Sequence, residues 1–294
     1  MSDELVPTPI RYFLAIAEHG SFTAAARTLR MSQPALTASM HALEESLHTT
    51  LFVRTSRGVV LTSTGTELVV HARAMEQKAS ELRQAMSDLE NEPRGRFTLG
   101  CHESLGAYFL PGFMPNFFSA HPQIALSLWN GNSRDVMAEI VARRVDVGIV
   151  VNPAPHPECV IVPLFDDHVE LLVLSRLLAS KAELDALPLL YVPVLTQTQW
   201  ILSRLPDAPL RRHLACSSME LVKSLVVDGA GVGILPRRVA EHGLAPKTLS
   251  PVSANAPRFE DKVALVRRAD MHETRAARML LDALRARGKA LKTS

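Results

Sequence analysis

The residues best equipped for chemistry gather in two places. Ser32, Gln33 and Pro34, with Thr37 and then His41 further on, open an apolar-periodic run. A glutamine amide carries a donor and an acceptor together and can meet adenine bidentately, while Pro34 and the Thr37 methyl can pack on thymine methyls. Arg54 and Arg57 flank the turn of an apolar, β-branched stretch, where fixed positive charge can straddle phosphates or reach a minor groove. Arg30, Ser21 and Thr23 are further phosphate candidates. The second place is discontinuous. Cys101-His102-Glu103-Ser104, Asn130-Gly131-Asn132-Ser133, Thr196-Gln197-Thr198 and Cys216-Ser217-Ser218 each follow a short apolar run. Hydroxyls, amides and helix N-termini at the carboxyl ends of strands suit a small organic acid. His102 adds positive charge below its unperturbed pKa of about 6.5. Glu103 opposes an anion unless it points away or meets a cationic part of the ligand.

Particular elements must hold these groups. Ile10, Phe13, Leu14 and Ala17 repeat at helical spacing, and that helix stops at His19-Gly20. Ser21 caps a second helix, Ser21–Leu29. Ser32 caps a third with Pro34 in its first turn and Leu36, Met40, Leu43 and Leu47 as its buried stripe. Leu51–Thr62 reads as a hairpin around Ser56-Arg57-Gly58. Three helices and a hairpin, with a tight turn between helices two and three, describe a winged helix-turn-helix over residues 1–65. Its third helix enters a major groove N-terminal end first. Through Thr62, Arg11, Arg27, Arg30, Arg54 and Arg57 are cancelled by Asp3, Glu4, Glu18, Glu44 and Glu45. Phosphate attraction per head is therefore modest, and affinity must come from several heads acting together.

Residues 66–92 form a linker. Leu68, Ala72, Met75, Ala79, Leu82, Met86 and Leu89 alternate in steps of four and three on one long helix. The charged flanks leave a narrow apolar stripe, which predicts a dimerisation seam. Asn91-Glu92-Pro93 ends it. Residues 93–294 then alternate strand and helix, with a helix over Leu105–Ser119 and strands at Val160–Phe165, Val169–Leu174 and Lys262–Val266. The pattern predicts two α/β subdomains joined by crossovers, one about 93–163 plus 263–294 and the other about 164–262. Ligands sit in clefts between such halves.

Composition narrows the function. The chain has 294 residues, 47% hydrophobic and 21% charged, with a net charge of +2, which suits folded domains without a global pull on nucleic acid. The apolar runs fall short of a membrane span, the start lacks a signal-peptide pattern, and three scattered cysteines suit a reducing compartment; a cytoplasmic protein without metal or cofactor is expected. Gly229, Gly231 and Gly233 follow a helix rather than a strand, the reverse of a dinucleotide fingerprint. There is no P-loop, and His102-Glu103 lacks the second His of a zinc hydrolase motif. An enzyme is not expected.

The order Phe22-Thr23-Ala24-Ala25-Ala26, Ser32-Gln33-Pro34-Ala35-Leu36-Thr37, Leu43-Glu44, Leu51-Phe52-Val53-Arg54 and Leu61-Thr62-Ser63-Thr64-Gly65 resembles the DNA-binding domain of LysR-type transcriptional regulators. Leu110-Pro111, His121-Pro122, Asp146-Val147-Gly148-Ile149 and Asp228 through Pro236 resemble that family's effector-binding domain. The resemblance implies a linker helix that dimerises and a periplasmic-binding-protein-like sensor. It further implies a dimer-of-dimers tetramer on double-stranded promoter DNA, with RNA polymerase as a partner if the protein activates. Ser104, Thr196 and Ser217 resemble hydroxyl positions that hold a ligand carboxylate. Two departures stand out: His48 replaces the usual Gly after Leu47, and Ala38 and Ser39 replace a basic residue of the third helix. The competing expectation is a small-molecule-binding protein whose head no longer reads DNA.

Overall fold

The computed structural model describes residues 5–55, 58–89, 93–179, 184, 186–205 and 212–292. Two compact units emerge, one built on Met1–Gly95 with Val141–Arg144 and His272–Ala276, the other on the remainder.

In the first unit, α1 (Thr8–His19) ends at Gly20, which takes a left-handed φ of 58°. α2 (Phe22–Thr28) starts at Ser21, whose Oγ accepts the Ala24 N–H at 3.3 Å. The turn into α3 (Gln33–Leu47) runs through Arg30 at φ 55°, and the Met31 N–H closes it onto Ala26 O at 3.0 Å. Ser32 caps α3 by accepting from the Ala35 N–H at 3.4 Å. His48, at φ 51°, adopts the left-handed conformation that ends α3, at a cost of roughly 1–2 kcal/mol for a residue with a Cβ.

The wing is antiparallel, β1 (Phe52–Thr55) on β2 (Gly58–Leu61). It docks on the end of α1 through the Val59 N–H, 2.9 Å from Gly20 O. A Cβ on Gly58 would stand 2.5 Å from that same oxygen, so the wing root requires glycine. Phe13, fully buried, packs its ring 5.4 Å from Phe52, and Phe22 lies 5.7 Å from Phe52 on another side. These contacts tie the helices to the hairpin.

α4 (Ser63–Leu89) starts three residues before the expected Thr66, because Thr62 Oγ1 caps it by accepting the Gly65 N–H at 2.9 Å. The expected single seam divides between two environments. Ala72 and Ala79 are buried in the core of the first unit and Leu68 packs against it, whereas Met75, Leu82 and Met86 are exposed. The Leu89 side chain and Arg57 lie outside the described residues.

The second unit is built on one nine-stranded sheet. Its strands are β3 (Gly95–Cys101), β4 (Ile124–Asn130), β5 (Val147–Val151), β6 (Cys159–Leu174), β7 (Leu189–Tyr191), β8 (His213–Ala215), β9 (Val232–Pro236), β10 (Leu249–Pro251) and β11 (Phe259–Arg268). Along the sheet they run β4-β3-β5-β11-β6-β9-β7-β8, with β10 also on β6. Its helices are α5 (Glu103–Phe109), α6 (Met114–Ala120), α7 (Ser133–Val141), α8 (Thr196–Leu202), α9 (Met219–Val227), α10 (Arg237–Glu241) and α11 (Arg275–Lys292).

Three expectations are corrected here. The helix over Leu105–Ser119 is broken into α5, a 3-10 turn at Leu110–Gly112 and α6, because Pro111 and Pro115 lack the N–H that a continuous helix needs. The separate strands Val160–Phe165 and Val169–Leu174 are one 16-residue strand, β6. It runs straight through Asp166-Asp167-His168, and a register shift opposite Val263/Ala264 absorbs Leu164 as an extra residue beside Pro163. The strand Lys262–Val266 extends to Phe259–Arg268, pairing antiparallel with β6 along its whole length.

That pairing gives the sheet a waist. β5 holds β11 only at Val263–Arg267, and β9 holds β6 only at Val169–Leu172. Between them, Asp166–His168 and Glu260–Lys262 form a ribbon two strands wide. Asn152, at φ 49°, supports its edge: its N–H donates to Lys262 O at 2.9 Å and its Oδ1 accepts the Lys262 N–H at 2.8 Å.

Candidate functional site

On the first unit, the start of α3 is an exposed polar end. Ser32, Gln33, Pro34 and Ala35 are exposed, Thr37 is half-buried, and His41 is exposed. Leu36, Met40 and Leu43 on the opposite face are buried and fix the helix roll. Arg54 is exposed on β1, Arg30 on the turn and Thr23 on α2, while Ser21 is half-buried and occupied as a cap. Glu44 is used internally, its Oε1 accepting the Leu51 N–H at 2.7 Å. One negative charge of the apparent balance therefore anchors the wing.

In the second unit a cavity of about 70 Å³ opens among the carboxyl end of β5 and the residues after β3 and β4, the middle of β6 and β11, and α8, α9 and α10. Such a space holds on the order of five waters or as many ligand heavy atoms. Of the residues expected there, His102, Ser104, Asn132 and Gln197 line it. Cys101, Glu103, Asn130, Gly131, Thr196, Ser217 and Ser218 are not in its wall. Cys101 is buried, and burial pushes its thiol up to about 11. Glu103 is exposed, its N–H donating to Asn130 Oδ1 at 2.9 Å. Ser218 caps α9 by accepting the Leu221 N–H.

His102 caps α5, its Nδ1 accepting the Ser104 N–H at 3.3 Å. Burial lowers its pKa against the pull of Glu103 and Glu220, which moves the range in which it carries a positive charge to lower pH. α5 and α8 are seven residues each, so most of the polar character of the wall comes from side chains rather than from long helix dipoles.

Sequence reasoning missed Asp167 and Asp261, both in the wall and 5% and 3% exposed. Asp167 Oδ1 accepts the His168 N–H at 2.8 Å, and Asp261 Oδ1 accepts from Asn152 Nδ2 at 2.6 Å and Gln197 Nε2 at 3.0 Å. Burial raises each carboxyl to about 6; Arg238 pulls Asp167 down, and the two amides pull Asp261 down, without cancelling that rise. Thr198, which follows Thr196-Gln197 in the same run, does line the cavity: it is 1% exposed, and its Oγ1 has no hydrogen-bond partner among the described residues. The available signal was Asp167 itself, a carboxylate between two apolar β-branched runs where strands seldom tolerate one. Tyr108 and Ser133 add hydroxyl-bearing side chains, and the remaining wall residues, among them Leu105, Val169, Met219, Ile234 and Val263, are apolar. No cluster of three metal-ligating side chains occurs among the described residues.

Two family models match the chain: "Bacterial regulatory helix-turn-helix protein, lysR family" over residues 8–66 and "LysR substrate binding domain" over residues 90–289. The uncharacterized HTH-type transcriptional regulator YeiE of Escherichia coli (strain K12) is 29% identical, with 93% of this chain and 94% of that protein covered. Among solved structures, a full-length OxyR variant from Pseudomonas aeruginosa superposes with a TM-score of 0.70 at 23% identity, covering 98% of this chain and 95% of that one. LysG of Corynebacterium glutamicum with its effector arginine bound gives 0.65 at 21% identity, covering 98% of each chain.

Proposed function

We propose, for a chain that belongs to the LysR family of DNA-binding transcriptional regulators with an effector-binding domain, that α3 reads an operator while the cavity beside β6 and β11 takes the effector. The observation that carries this reading is the joint presence of an exposed Ser32-Gln33-Pro34 helix start and a partly polar cavity. A protein that only bound small molecules would have no use for the first. No helix among the described residues is long and apolar enough to cross a membrane. We place the protein in the cytoplasm, where promoter DNA is.

Gln33 reads a base edge, Pro34 and Thr37 pack on methyl groups, and Arg30 and Arg54 meet phosphates. The exposed Met75, Leu82 and Met86 supply the face through which a second copy pairs, and pairs of dimers fill a long operator. An activating form also engages RNA polymerase. The effector is a small, carboxylate-bearing organic molecule whose carboxylate is held at Ser104. It regulates by binding one arrangement of the two sensor halves better than the other, since equal affinity for both would move no equilibrium.

An electrophoretic shift on the DNA flanking the protein's own gene tests the reading. A salt-sensitive complex that survives competition by random DNA is expected. Binding with no preference over random DNA would overturn it.

A further inference from the structure

β6 and β11 set two carboxylates face to face. Asp167 and Asp261 are direct partners in the antiparallel register of these strands, where opposed Cβ atoms lie about 4.5–5.5 Å apart and like charges are destabilising. Both are almost completely buried, and both stand in the cavity wall. A charged pair in that position calls for a compensating cation. Glu170, three residues along β6, shows how this chain ordinarily meets the need: Arg237 and Arg258 approach it at 3.5 Å each. Arg238 acts on Asp167 from outside the wall without offsetting its burial, and among the described residues no Lys or Arg lines the cavity that holds Asp167 and Asp261.

Thr198 makes an independent case for a missing occupant. Its hydroxyl is buried in the same wall with no hydrogen-bond partner among the described residues, and a group of this kind is costly unless something bonds to it. The cavity thus presents two facing carboxylates and an unbonded hydroxyl, with Ser104, Asn132 and Gln197 elsewhere in a wall that is otherwise mostly apolar.

Building on the effector reading above, we propose that the effector carries a protonated amine that sits between Asp167 and Asp261, with Thr198 as a further acceptor. The effector is therefore amphoteric, its ammonium at the strand pair and its carboxylate toward Ser104. The amides of Asn152 and Gln197 hold Asp261 in place for it. A bare divalent ion fits the wall less well. It needs about six or more oxygen ligands, and here apolar residues such as Val169, Ile234 and Val263 occupy that space, which suits the carbon skeleton of an organic amine. Burial raises both carboxyls to about 6, and an ammonium held between them would favour their charged forms.

The test is calorimetry and thermal shift on the full chain with three probes of matched size: β-alanine, propionate and propylamine. β-Alanine should bind at least tenfold more tightly than either of the others. Asp167→Asn and Asp261→Asn should remove that advantage and leave propionate binding unchanged or stronger. Should either variant fail to fold, the ranking of the three probes on the wild-type chain decides alone. Propionate binding as well as β-alanine overturns the ammonium site while leaving a carboxylate effector standing. If no probe binds up to 50 mM, the ammonium site and the effector reading of this cavity both fall.

Discussion

Replacing Thr198 with valine should make the protein more stable and less able to bind its effector. The side chain is 1% exposed and its Oγ1 has no partner among the described residues. Exchanging that hydroxyl for a methyl of the same shape removes a desolvated polar group, a gain of roughly 1–2 kcal/mol. Both residues are β-branched, so the rotamer restriction in α8 hardly changes. For a domain of this size, each kcal/mol moves the midpoint by about 2–4 °C, so a rise of roughly 2–8 °C is expected in thermal unfolding of the apo protein. Thr198→Ser is the control. It keeps the hydroxyl, loses one buried methyl, and should cost about 0.8 kcal/mol. With an effector or a probe bound, the ranking reverses, and Thr198→Val loses about tenfold in affinity, the worth of one neutral hydrogen bond. A fall in the apo midpoint for Thr198→Val would refute the reasoning, because it would mean that the hydroxyl already has a partner.

Other perturbations probe other parts. Gln33→Ala should cost about 1–3 kcal/mol on the specific site and little on random DNA, read by titration, whereas Arg54→Ala should weaken both and flatten the salt dependence. Equal losses for Gln33→Ala on both DNAs would remove its base-reading role. Leu82, half exposed in the single chain, should become critical once paired: Leu82→Asp should weaken self-association by more than a hundredfold in sedimentation, from roughly 3–5 kcal/mol for an uncompensated buried charge. An unchanged assembly would assign association to another surface. Asp146 is raised to about 6 by burial despite the Thr98 N–H bonded to its Oδ2 at 2.7 Å. A carboxyl raised on folding takes up its proton in the native state first, so its contribution is present below about pH 4 and lost as the pH rises through about 6. Asp167 and Asp261 act in the same direction and His102 in the opposite one. Asp146→Asn keeps an acceptor for Thr98, and should flatten the pH 4–6 slope in denaturant titrations; an unaltered slope would show that Asp146 does not titrate there.

The first unit was legible because its signals are local. Ser21 and Ser32 announce caps, Gly20 a stop, and Leu36, Met40 and Leu43 a buried stripe, each within a few residues of what it determines; Leu47, expected in that stripe, is exposed at the helix end. The linker was half legible. Spacing identified a helical stripe, but spacing cannot say which side of it is already covered, and Ala72 and Ala79 are spent on the chain's own core. The cavity resisted for a different reason. Reading it from strand ends found Ser104 and Gln197, yet Asp167 and Asp261 stand in mid-strand and are brought together by a pairing 94 positions apart in the sequence. A charged triplet, Asp166-Asp167-His168, ordinarily breaks a strand, and the expected break there hid the fact that β6 passes straight through. The wall residues from α10 belong to a five-residue helix, too short for periodicity to register.

The waist of the sheet has a mechanical meaning. Torsional stiffness grows steeply with the width of a ribbon, and two-stranded ribbons carry more twist than wide sheets. A load that turns one half of the sheet against the other is therefore taken up at Asp166–His168 and Glu260–Lys262, while the wider flanks move as plates. The sheet of the second unit is laid out as two wider plates joined by a narrow ribbon, with Asp167 opposite Asp261 across it. Like charges facing each other there oppose close pairing, and neutralising them should relieve that strain. Amide exchange at His168 and Asp261 should then respond to ligand sooner and more strongly than exchange in the flanking Ile149 or Ile234, so that the narrowest part of the sheet serves as its gauge.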